Sequence, residues 1–422
     1  MIDRTIEPVL LGLAQQYPVV TITGPRQSGK TTLCRKVFPT LKYANLEAPD
    51  TRMFAIEDPR GFLAANRDGV ILDEIQRAPE LLSYIQTIVD LKNNPGQFIL
   101  TGSQQFEVMN TISQSLAGRT ALLKLLPFSL GELKQMPQSS IDRLMITGFY
   151  PRIHDQGLNP AQALGDYLET YVERDLRQLA MVKDISLFER FLRLCAGRVG
   201  QVLNLQSLGN DVGVSHSTAR SWLTLLEASY IIFLLQPWHT NVSKRLIKSP
   251  KLYFYDVGLA SFLLGLENET QVSRDPLRGS LFENMVVMEA LKYRYNRGMR
   301  SNIFFYRDSN SNEVDLVAEK GRDLCAIEIK AGATVNPDYF RGLHHFAKAV
   351  GSSRVIRGGV IYGGEEMQER SSFPVYPLSL CEDLFAEQKQ SRDSETGEGG
   401  CIRQGGVSDR ERNERSKRAS SP

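Results

Sequence analysis

The stretch that decides the fold is Val19-Val20-Thr21-Ile22-Thr23-Gly24-Pro25-Arg26-Gln27-Ser28-Gly29-Lys30-Thr31-Thr32. Its first five residues are apolar or β-branched, which predicts a buried β-strand. Two glycines then enclose four residues and are followed by a lysine and a threonine, the spacing of a phosphate-binding loop. A glycine-rich turn without function is the alternative, but the strand and the helix that the motif requires both flank the loop.

The residue types of this loop suit an anionic ligand. Glycines allow backbone N–H groups to turn toward phosphate oxygens, and the start of the following helix adds its positive dipole. Lys30 supplies a point charge, and Thr31 supplies a hydroxyl ligand for Mg²⁺. The residues expected to contact the nucleotide are Gly24, Pro25, Arg26, Gln27, Ser28, Gly29, Lys30, Thr31 and Thr32.

Two further apolar runs follow in the same part of the chain. Val70–Leu72 and Phe98–Thr101 are β-rich, and the stretch from Pro79 to Leu91 between them has helical spacing. Because strands that alternate with helices form parallel sheets with crossover connections, this part is expected to be an α/β domain.

Polar residues follow both of these strands. Asp73 and Glu74 follow the first, at the carboxyl edge of the sheet, where nucleotides bind. Asp73 would hold the Mg²⁺ shell and Glu74 would polarise the attacking water, although a solvated strand end is the alternative. Thr101 and Ser103 follow the second strand and would contact the γ-phosphate, or else belong to a plain turn.

Phosphoryl transfer concentrates negative charge that an arginine can stabilise, sometimes from a neighbouring subunit. Arg119 is the first candidate, and Arg26 and Arg152 compete with it. An arginine supplied by a neighbour would require a homo-oligomer. A surface arginine without a role is the alternative for Arg119.

The middle of the chain, from residue 160 to 230, is expected to be helical. Leu205–Leu226 has the pattern of a helix–turn–helix, with Ser215 as the cap of the second helix. The residues placed where a recognition helix would contact DNA are His216, Ser217, Thr218 and Arg220. The β-rich runs Tyr230–Leu235 and Lys251–Tyr255 would form a wing beside it.

This wing carries a local basic patch. The residues between Glu227 and Asp256 include no acid, and their basic side chains are Lys244, Arg245, Lys248 and Lys251. Such a patch attracts phosphates, so residues 205–255 are a candidate DNA contact. A packing or lid module with solvated lysines is the alternative.

The last folded part carries three acids and a lysine. A helix from Leu281 to Tyr295 leads into β-rich runs, and Glu283 lies beside the apolar stripe of that helix. A hairpin centred between Gly321 and Arg322 would place Asp315 opposite Glu328.

Opposed carboxylates destabilise a sheet unless a cation separates them. Glu283, Asp315 and Glu328 would therefore bind a divalent ion, with Lys330 beside its bound water. The alternative is a pair of ordinary strand faces, in which Lys330 neutralises both acids.

Length, charge and cysteine content limit the classes of protein to which the chain can belong. The 422 residues suffice for two or three domains, and a net charge of +2 excludes a general attraction to nucleic acid or membrane. Five widely spaced cysteines exclude a disulfide framework and indicate a reducing compartment. No apolar run approaches the ~20 residues of a membrane helix, so a cytoplasmic protein is expected. Residues 387–422 have the composition of a disordered tail.

Taken together, these features resemble the prokaryotic AAA+ ATPases that join a P-loop domain to a winged helix and a C-terminal restriction-endonuclease-like domain. The resemblance covers about residues 1–385. The segments that carry it are Gly24–Thr31, Val70–Gln76, Ile99–Ser103, Leu116–Arg119, Tyr171–Leu176, Gly279–Glu283, Glu313–Asp315 and Glu328–Lys330.

The resemblance implies ATP binding and hydrolysis, and an α/β fold with a parallel sheet of AAA+ type. It also implies a division into an ATPase domain (1–158), a helical winged-helix domain (159–272) and a nuclease-like domain (273–386). Glu283, Asp315, Glu328 and Lys330 would correspond to the PD-(D/E)xK constellation, whose acids bind Mg²⁺. The match is loose at Asp315, which is not preceded by a proline. A non-nucleolytic ATP-gated regulator and a protein-binding ATPase are the competing functions.

Overall fold

The computed structural model describes residues 2–103, 115–134, 139–171, 184–239, 249–321, 323–351 and 354–386. The chain divides into two units, Met1–Phe385 and Ala386–Pro422, and all the sites discussed below lie in the first. Within the described ranges, no helix combines the length and the apolar character that spanning a membrane requires.

Strands and helices alternate along much of the chain. The strands are β1 (Val19–Thr23), β2 (Lys42–Asn45), β3 (Val70–Asp73), β4 (Phe98–Gly102), β5 (Thr120–Lys124), β6 (Ile232–Leu235), β7 (Lys251–Phe254), β8 (Ile303–Arg307), β9 (Glu313–Lys320), β10 (Asp323–Lys330), β11 (Val355–Tyr362) and β12 (Val375–Pro377). The helices in the first half are α1 (Glu7–Ala14), α2 (Lys30–Val37), α3 (Pro49–Glu57), α4 (Pro59–Ala65), α5 (Leu81–Leu91), α6 (Leu130–Leu133), α7 (Ile141–Thr147), α8 (Pro151–Gln156), α9 (Pro160–Tyr167) and α10 (Ile185–Ala196). Those that follow are α11 (Leu205–Val212), α12 (His216–Ala228), α13 (Val257–Leu263), α14 (Glu269–Arg274), α15 (Arg278–Tyr295), α16 (Arg341–Val350) and α17 (Cys381–Phe385).

The first sheet has five parallel strands in the order β2-β3-β4-β1-β5. In β1, Val19 lies beside Phe98 of β4 and Thr120 of β5, so the strands begin at one edge and end at the other. All five residues of β1 are buried, as expected for a central strand covered on both faces. The predicted parallel α/β sheet is therefore confirmed.

Helices cover both faces of this sheet because successive strand residues point to opposite sides. Val20 and Ile22 of β1 pack in one apolar cluster with residues of α1 and α2. Val70 and Leu72 of β3 pack in another cluster with residues of α4 and α5. The phosphate loop therefore follows an inner strand of a sheet that has an apolar cluster on each face.

The middle of the chain contains two consecutive helices and a hairpin. Asn204 caps α11, Gly213 ends it with a left-handed φ of 90°, and Ser215 caps α12 by accepting a hydrogen bond from the Thr218 N–H. β6 and β7 follow as an antiparallel pair. The predicted helix, turn, helix and β-hairpin are present, whereas residues 240–248 lie outside the described ranges.

The C-terminal sheet has the order β12-β11-β10-β9-β8. β8, β9 and β10 are antiparallel neighbours, and β10, β11 and β12 are parallel. Ile327 lies opposite Leu316, which is the register predicted for the hairpin and places Glu328 next to Asp315. α15 packs on one face of this sheet and α16 on the other.

Candidate functional site

The phosphate loop joins β1 to α2 at the carboxyl edge of the first sheet. Gly24 cannot be replaced without strain, since an added Cβ would lie 2.0 Å from the carbonyl oxygen of Leu125. Gly29, at the N-cap of α2, has a φ of 89°, which favours glycine. The geometry of the loop therefore requires both glycines of the motif.

Lys30 points back into this loop. Its side chain is buried, and Nζ donates hydrogen bonds to the carbonyl oxygens of Gly24 at 3.0 Å and Pro25 at 2.8 Å. Burial lowers the pKa of Lys30, while the charges of Glu74 and Asp73 act in the opposite direction. The loop thus holds an ammonium group at its centre.

Hydroxyl groups surround the carboxylate of Asp73, which is 6% exposed. Thr31 Oγ1 donates to Asp73 Oδ2 at 2.8 Å, Tyr43 OH donates to the same oxygen at 2.7 Å, and Thr101 Oγ1 donates to Oδ1. Burial and the charge of Asp73 raise the pKa of Tyr43. The structure therefore brings together Thr31, Asp73 and Thr101. Sequence reasoning missed Tyr43, although the sheet order places its strand beside β3.

Glu74 follows Asp73 in a left-handed conformation, with a φ of 56°. Its Oε2 accepts hydrogen bonds from Ser103 Oγ at 2.9 Å and Ser103 N at 3.3 Å, and from the side chain of Gln76. Its own N–H donates to Thr101 Oγ1 at 3.3 Å. Thr101 and Ser103 thus orient the acid pair at the end of β3. Gln76 contributes a further hydrogen bond, a role that the sequence analysis did not predict.

An open cleft of about 440 Å³ lies over the loop, within the range of roughly 300–1,000 Å³ that is typical of small-molecule sites. Its lining residues come from the loop and sheet edge and from the helices that follow, namely Arg26, Gln27, Gly29, Lys30, Thr31, Thr32, Glu74, Pro151, Arg152, Asp155, Gln156, Thr170 and Tyr171. The Arg26 guanidinium lies over the ring of Tyr171 at 5.2 Å. Two of the three candidate arginines, Arg26 and Arg152, therefore lie at the cleft.

Arg119 lies elsewhere. It precedes the first residue of β5, at the edge where the strands begin, opposite the edge that carries the phosphate loop. Its guanidinium pairs with Asp90, with Nη2 at 2.9 Å from Oδ2. A role in phosphoryl transfer would have to be in a neighbouring subunit and stays a prediction.

Arg4 stabilises the phosphate loop by hydrogen bonding. Its buried guanidinium donates to the carbonyl oxygens of Ser28 at 2.8 Å and Leu126 at 2.7 Å, and pairs with Glu132 at 3.1 Å. Glu132 also accepts from the Ser129 N–H as part of the cap of α6. Sequence analysis missed Arg4 because an isolated arginine before a helix belongs to no recognisable pattern.

A second group of charges lies in the C-terminal part, and we name its four carboxylates, from Glu283, Glu313, Asp315 and Glu328, the acidic centre. The ammonium group of Lys251, whose side chain is only 3% exposed, lies among them. Its Nζ is 2.7 Å from Glu283 Oε1, 2.6 Å from Glu313 Oε1 and 3.7 Å from Asp315 Oδ1. Burial favours a lower pKa for Lys251, but Glu283, Asp315 and Glu313 outweigh it and raise the pKa.

Lys330 bridges Glu328 and Asp315, so that Asp315 contacts both lysines. Its Nζ is 2.6 Å from Glu328 Oε1 and 3.4 Å from Asp315 Oδ2. Glu328 Oε2 is buried and has no hydrogen-bond partner among the described residues. Burial, followed by the charge of Asp315, raises the pKa of Glu328 to about 8 and that of Glu283 to about 7. The predicted juxtaposition of Asp315 and Glu328 is therefore present, with a lysine between them.

This arrangement does not fit a divalent ion. The carboxylate oxygens that would ligate it bond to ammonium groups, and no set of three or more His, Cys, Asp or Glu side chains in the described ranges has a metal-binding arrangement. The observed contacts match the alternative in which Lys330 neutralises both acids.

The placement of Lys251 in the basic DNA patch needs correction, since its side chain turns inward from β7 and is buried. The other members of that patch, Lys244, Arg245 and Lys248, lie outside the described residues.

The start of α12 remains accessible. His216, Ser217 and Arg220 are exposed, and Thr218 is partly exposed. These are the side chains for which sequence analysis predicts DNA contact. Their exposure leaves that prediction open.

Family models match three consecutive segments of the chain. Residues 16–134 match an AAA domain, residues 138–270 match the domain of unknown function DUF8612, and residues 278–381 match the domain of unknown function DUF4143. These segments follow the observed succession of parallel sheet, helical middle and C-terminal sheet.

Similar proteins were found among curated sequences and solved structures. An uncharacterized protein of Mycobacterium tuberculosis is 29% identical over 351 residues, covering 82% of this chain and 77% of that protein. One of Haemophilus influenzae is 20% identical over 345 residues, covering 74% and 82%. The Walker-type ATPase PABY2304 of Pyrococcus abyssi is 17% identical, with a TM-score of 0.43, covering 62% of this chain and 96% of that one. With the match to an AAA domain and the geometry of the phosphate loop, residues 16–134 have the fold of an AAA-type P-loop ATPase domain.

Proposed function

We propose that the chain binds ATP with Mg²⁺ in the cleft over the phosphate loop and hydrolyses it. The observation that carries this proposal is the convergence of Lys30, Thr31 and Asp73 at the carboxyl edge of one parallel sheet. Thr31 and Asp73 would hold Mg²⁺, which when bound neutralises charge on the phosphates. When ATP binds, Lys30 would donate its hydrogen bonds to phosphate oxygens instead of to the carbonyl oxygens of the loop.

Glu74 is the proposed general base. Ser103 and Gln76 hold its carboxylate, and because Glu74 lines the cleft, it would lie beside the phosphates of a bound nucleotide. A carboxylate there can orient a water molecule for attack and accept its proton. Arg26 and Arg152 would stabilise the charge that develops from within the same chain, whereas Arg119 would do so only in a homo-oligomer.

Turnover tests the role of Glu74. We expect Glu74→Gln to bind ATP and to lose hydrolysis by about 10²- to 10⁴-fold, because the amide cannot accept the proton. Glu80→Gln changes an exposed acid after the same strand and should leave turnover unaltered. Phosphate release measured by a coupled assay would contradict the assignment if Glu74→Gln kept the parental rate.

We further propose that the nucleotide state controls a DNA contact made by α11, α12 and the residues up to 255. The exposed side chains at the start of α12 support this contact. In this proposal, residues 1–158 form the ATPase domain, residues 159–272 the winged-helix domain and residues 273–386 the C-terminal domain. Salt-dependent association with duplex DNA should weaken in Arg220→Ala, and no association at any salt concentration would favour a protein-binding ATPase instead.

The C-terminal domain has two candidate functions. A Mg²⁺-dependent nuclease is the one that the acids suggest, and a docking platform is the other. The contacts of Lys251 and Lys330 with the acidic centre favour the platform. Plasmid DNA incubated with Mg²⁺ or Mn²⁺ should therefore stay intact with the parent protein. Cleavage that is lost in both Glu328→Ala and Lys330→Ala would instead establish the nuclease.

A further inference from the structure

The β6–β7 hairpin delivers two donors to the acidic centre. Lys251 is the first residue of β7, and its Nζ contacts Glu283, Glu313 and Asp315. Two residues along, Tyr253 OH donates to Glu283 Oε1 at 2.5 Å. The element that follows the helix–turn–helix is therefore bonded directly to the acids of the C-terminal domain.

Among the described residues, the acidic centre contains more carboxyl groups than cationic groups. Its four carboxyl groups meet the ammonium groups of Lys251 and Lys330, and in the described part of the chain one further cation, the half-exposed Arg307, lies 3.6 Å from Glu313 Oε2. Glu328, which is 8% exposed, keeps an oxygen without a hydrogen-bond partner in the described part of the chain. Clustered carboxylate oxygens with unused acceptor capacity are the ligands that hard divalent cations prefer.

Lys251 occupies the place that such a cation would take. A Mg²⁺ or Ca²⁺ ion binds carboxylate oxygens at roughly 2.0–2.6 Å. The oxygens of Glu283 and Glu313 already converge on Nζ at 2.7 and 2.6 Å. An ion held by the same oxygens would overlap the ammonium group, so the two cations exclude each other.

We propose that Lys251 is a built-in counter-ion that closes the acidic centre to divalent cations, and that its withdrawal creates a divalent-cation site. This exclusion does not depend on nucleotide hydrolysis. The residue of the β6–β7 hairpin that carries this charge is Lys251, so its substitution is the direct test of the exclusion.

Mn²⁺ binding to the full-length, nucleotide-free protein tests this proposal, with free Mn²⁺ measured by electron paramagnetic resonance. Lys251→Met should bind one Mn²⁺ per chain more than the parent does. Its affinity at this site should be at least about tenfold higher, because the ammonium group that repels the ion is gone. Mn²⁺ should also raise the Tm of this variant more than that of the parent. Adding Asp315→Asn should abolish both effects.

Lys292→Met is the matched control. Lys292 is a buried lysine that pairs with Glu289 at 2.8 Å, and Glu289 does not belong to the acidic centre. Its loss should lower stability without a gain in Mn²⁺ binding. Lys251→Gln keeps a hydrogen-bond donor toward Glu283 and serves if Lys251→Met fails to fold.

Two outcomes would overturn the proposal. In one, the parent binds Mn²⁺ as tightly as Lys251→Met does, and Asp315→Asn removes that binding. In the other, neither Lys251→Met nor Lys251→Gln gains a Mn²⁺ ion.

Discussion

At the residue scale, individual side chains determine the charges of the phosphate loop and of the acidic centre. In the phosphate loop, the charges of Glu74 and Asp73 oppose the effect of burial on the pKa of Lys30. In the acidic centre, four carboxylates share two ammonium groups, and burial raises the pKa of Glu328 to about 8. The first centre presents a cation to the cleft, whereas in the second burial favours the neutral forms of Glu328 and Glu283.

The raised pKa of Glu328 makes stability depend on pH. Because this pKa is above that of the unfolded chain, the folded state binds the extra proton between roughly pH 5 and 8, and stability falls as pH rises through this window. The slope for one such proton is at most about 1.4 kcal/mol per pH unit. Glu328→Gln should remove this part of the slope, so that the variant gains on the parent at pH 8 relative to pH 5.

Urea unfolding at several pH values provides the measurement. Glu57→Gln, which alters an exposed helix residue, should keep the parental slope. An unchanged pH dependence in Glu328→Gln would contradict the assigned protonation.

At the element scale, backbone conformation determines what each glycine contributes. Gly213 ends α11 with a φ of 90°, so the turn to α12 depends on a left-handed residue. Gly279 lies inside α15, and an added Cβ there would meet nothing within 4 Å. The same substitution should therefore have opposite effects at these two positions.

Gly213→Ala is expected to destabilise the protein by about 1 kcal/mol, because alanine is strained in the left-handed region. Gly279→Ala should stabilise it by about 0.5–1 kcal/mol, since alanine has the higher helix propensity. Thermal unfolding of both variants checks this pair. The interpretation of the helix–turn–helix would be wrong if Gly213→Ala were neutral or stabilising.

At the scale of the whole molecule, two tyrosines link the cleft over the phosphate loop to the end of α12. Thr23, the last residue before the phosphate loop, shares a buried hydrogen bond of 2.9 Å with Tyr230, which joins α12 to β6. Tyr171, which lines the cleft, donates to the carbonyl oxygen of Ser229 at 3.4 Å. A displacement of the loop by nucleotide would therefore reach the end of α12 directly.

Tyr230→Phe tests this link. We expect the variant to bind ATP with nearly parental affinity but to lose the ATP-dependent change in amide hydrogen exchange over residues 205–231. Tyr255→Phe alters a ring that packs on Tyr230 at 5.3 Å and should retain that change. An identical response in parent and Tyr230→Phe would show that the coupling takes another route.

The sequence predicted what depends on local pattern. The strand before the phosphate loop, the helix–turn–helix and the register that joins Asp315 to Glu328 all follow from short-range periodicity and turn residues. Lys251 was misplaced because burial of a lysine depends on a contact with acids far along the chain. Arg4 was missed for the same reason, since its partners Ser28 and Glu132 come from different elements.

The most direct measurement is a calorimetric titration of the full-length protein with ATP in the presence of Mg²⁺. The parent should bind one ATP per chain, and Lys30→Ala should show no detectable binding because the charge at the centre of the loop is lost. Lys36→Ala, which alters a lysine of the same helix paired with Asp3 and Glu7, should bind as the parent does. Equal ATP affinity in the parent and Lys30→Ala would contradict the assignment of a nucleotide site to this loop.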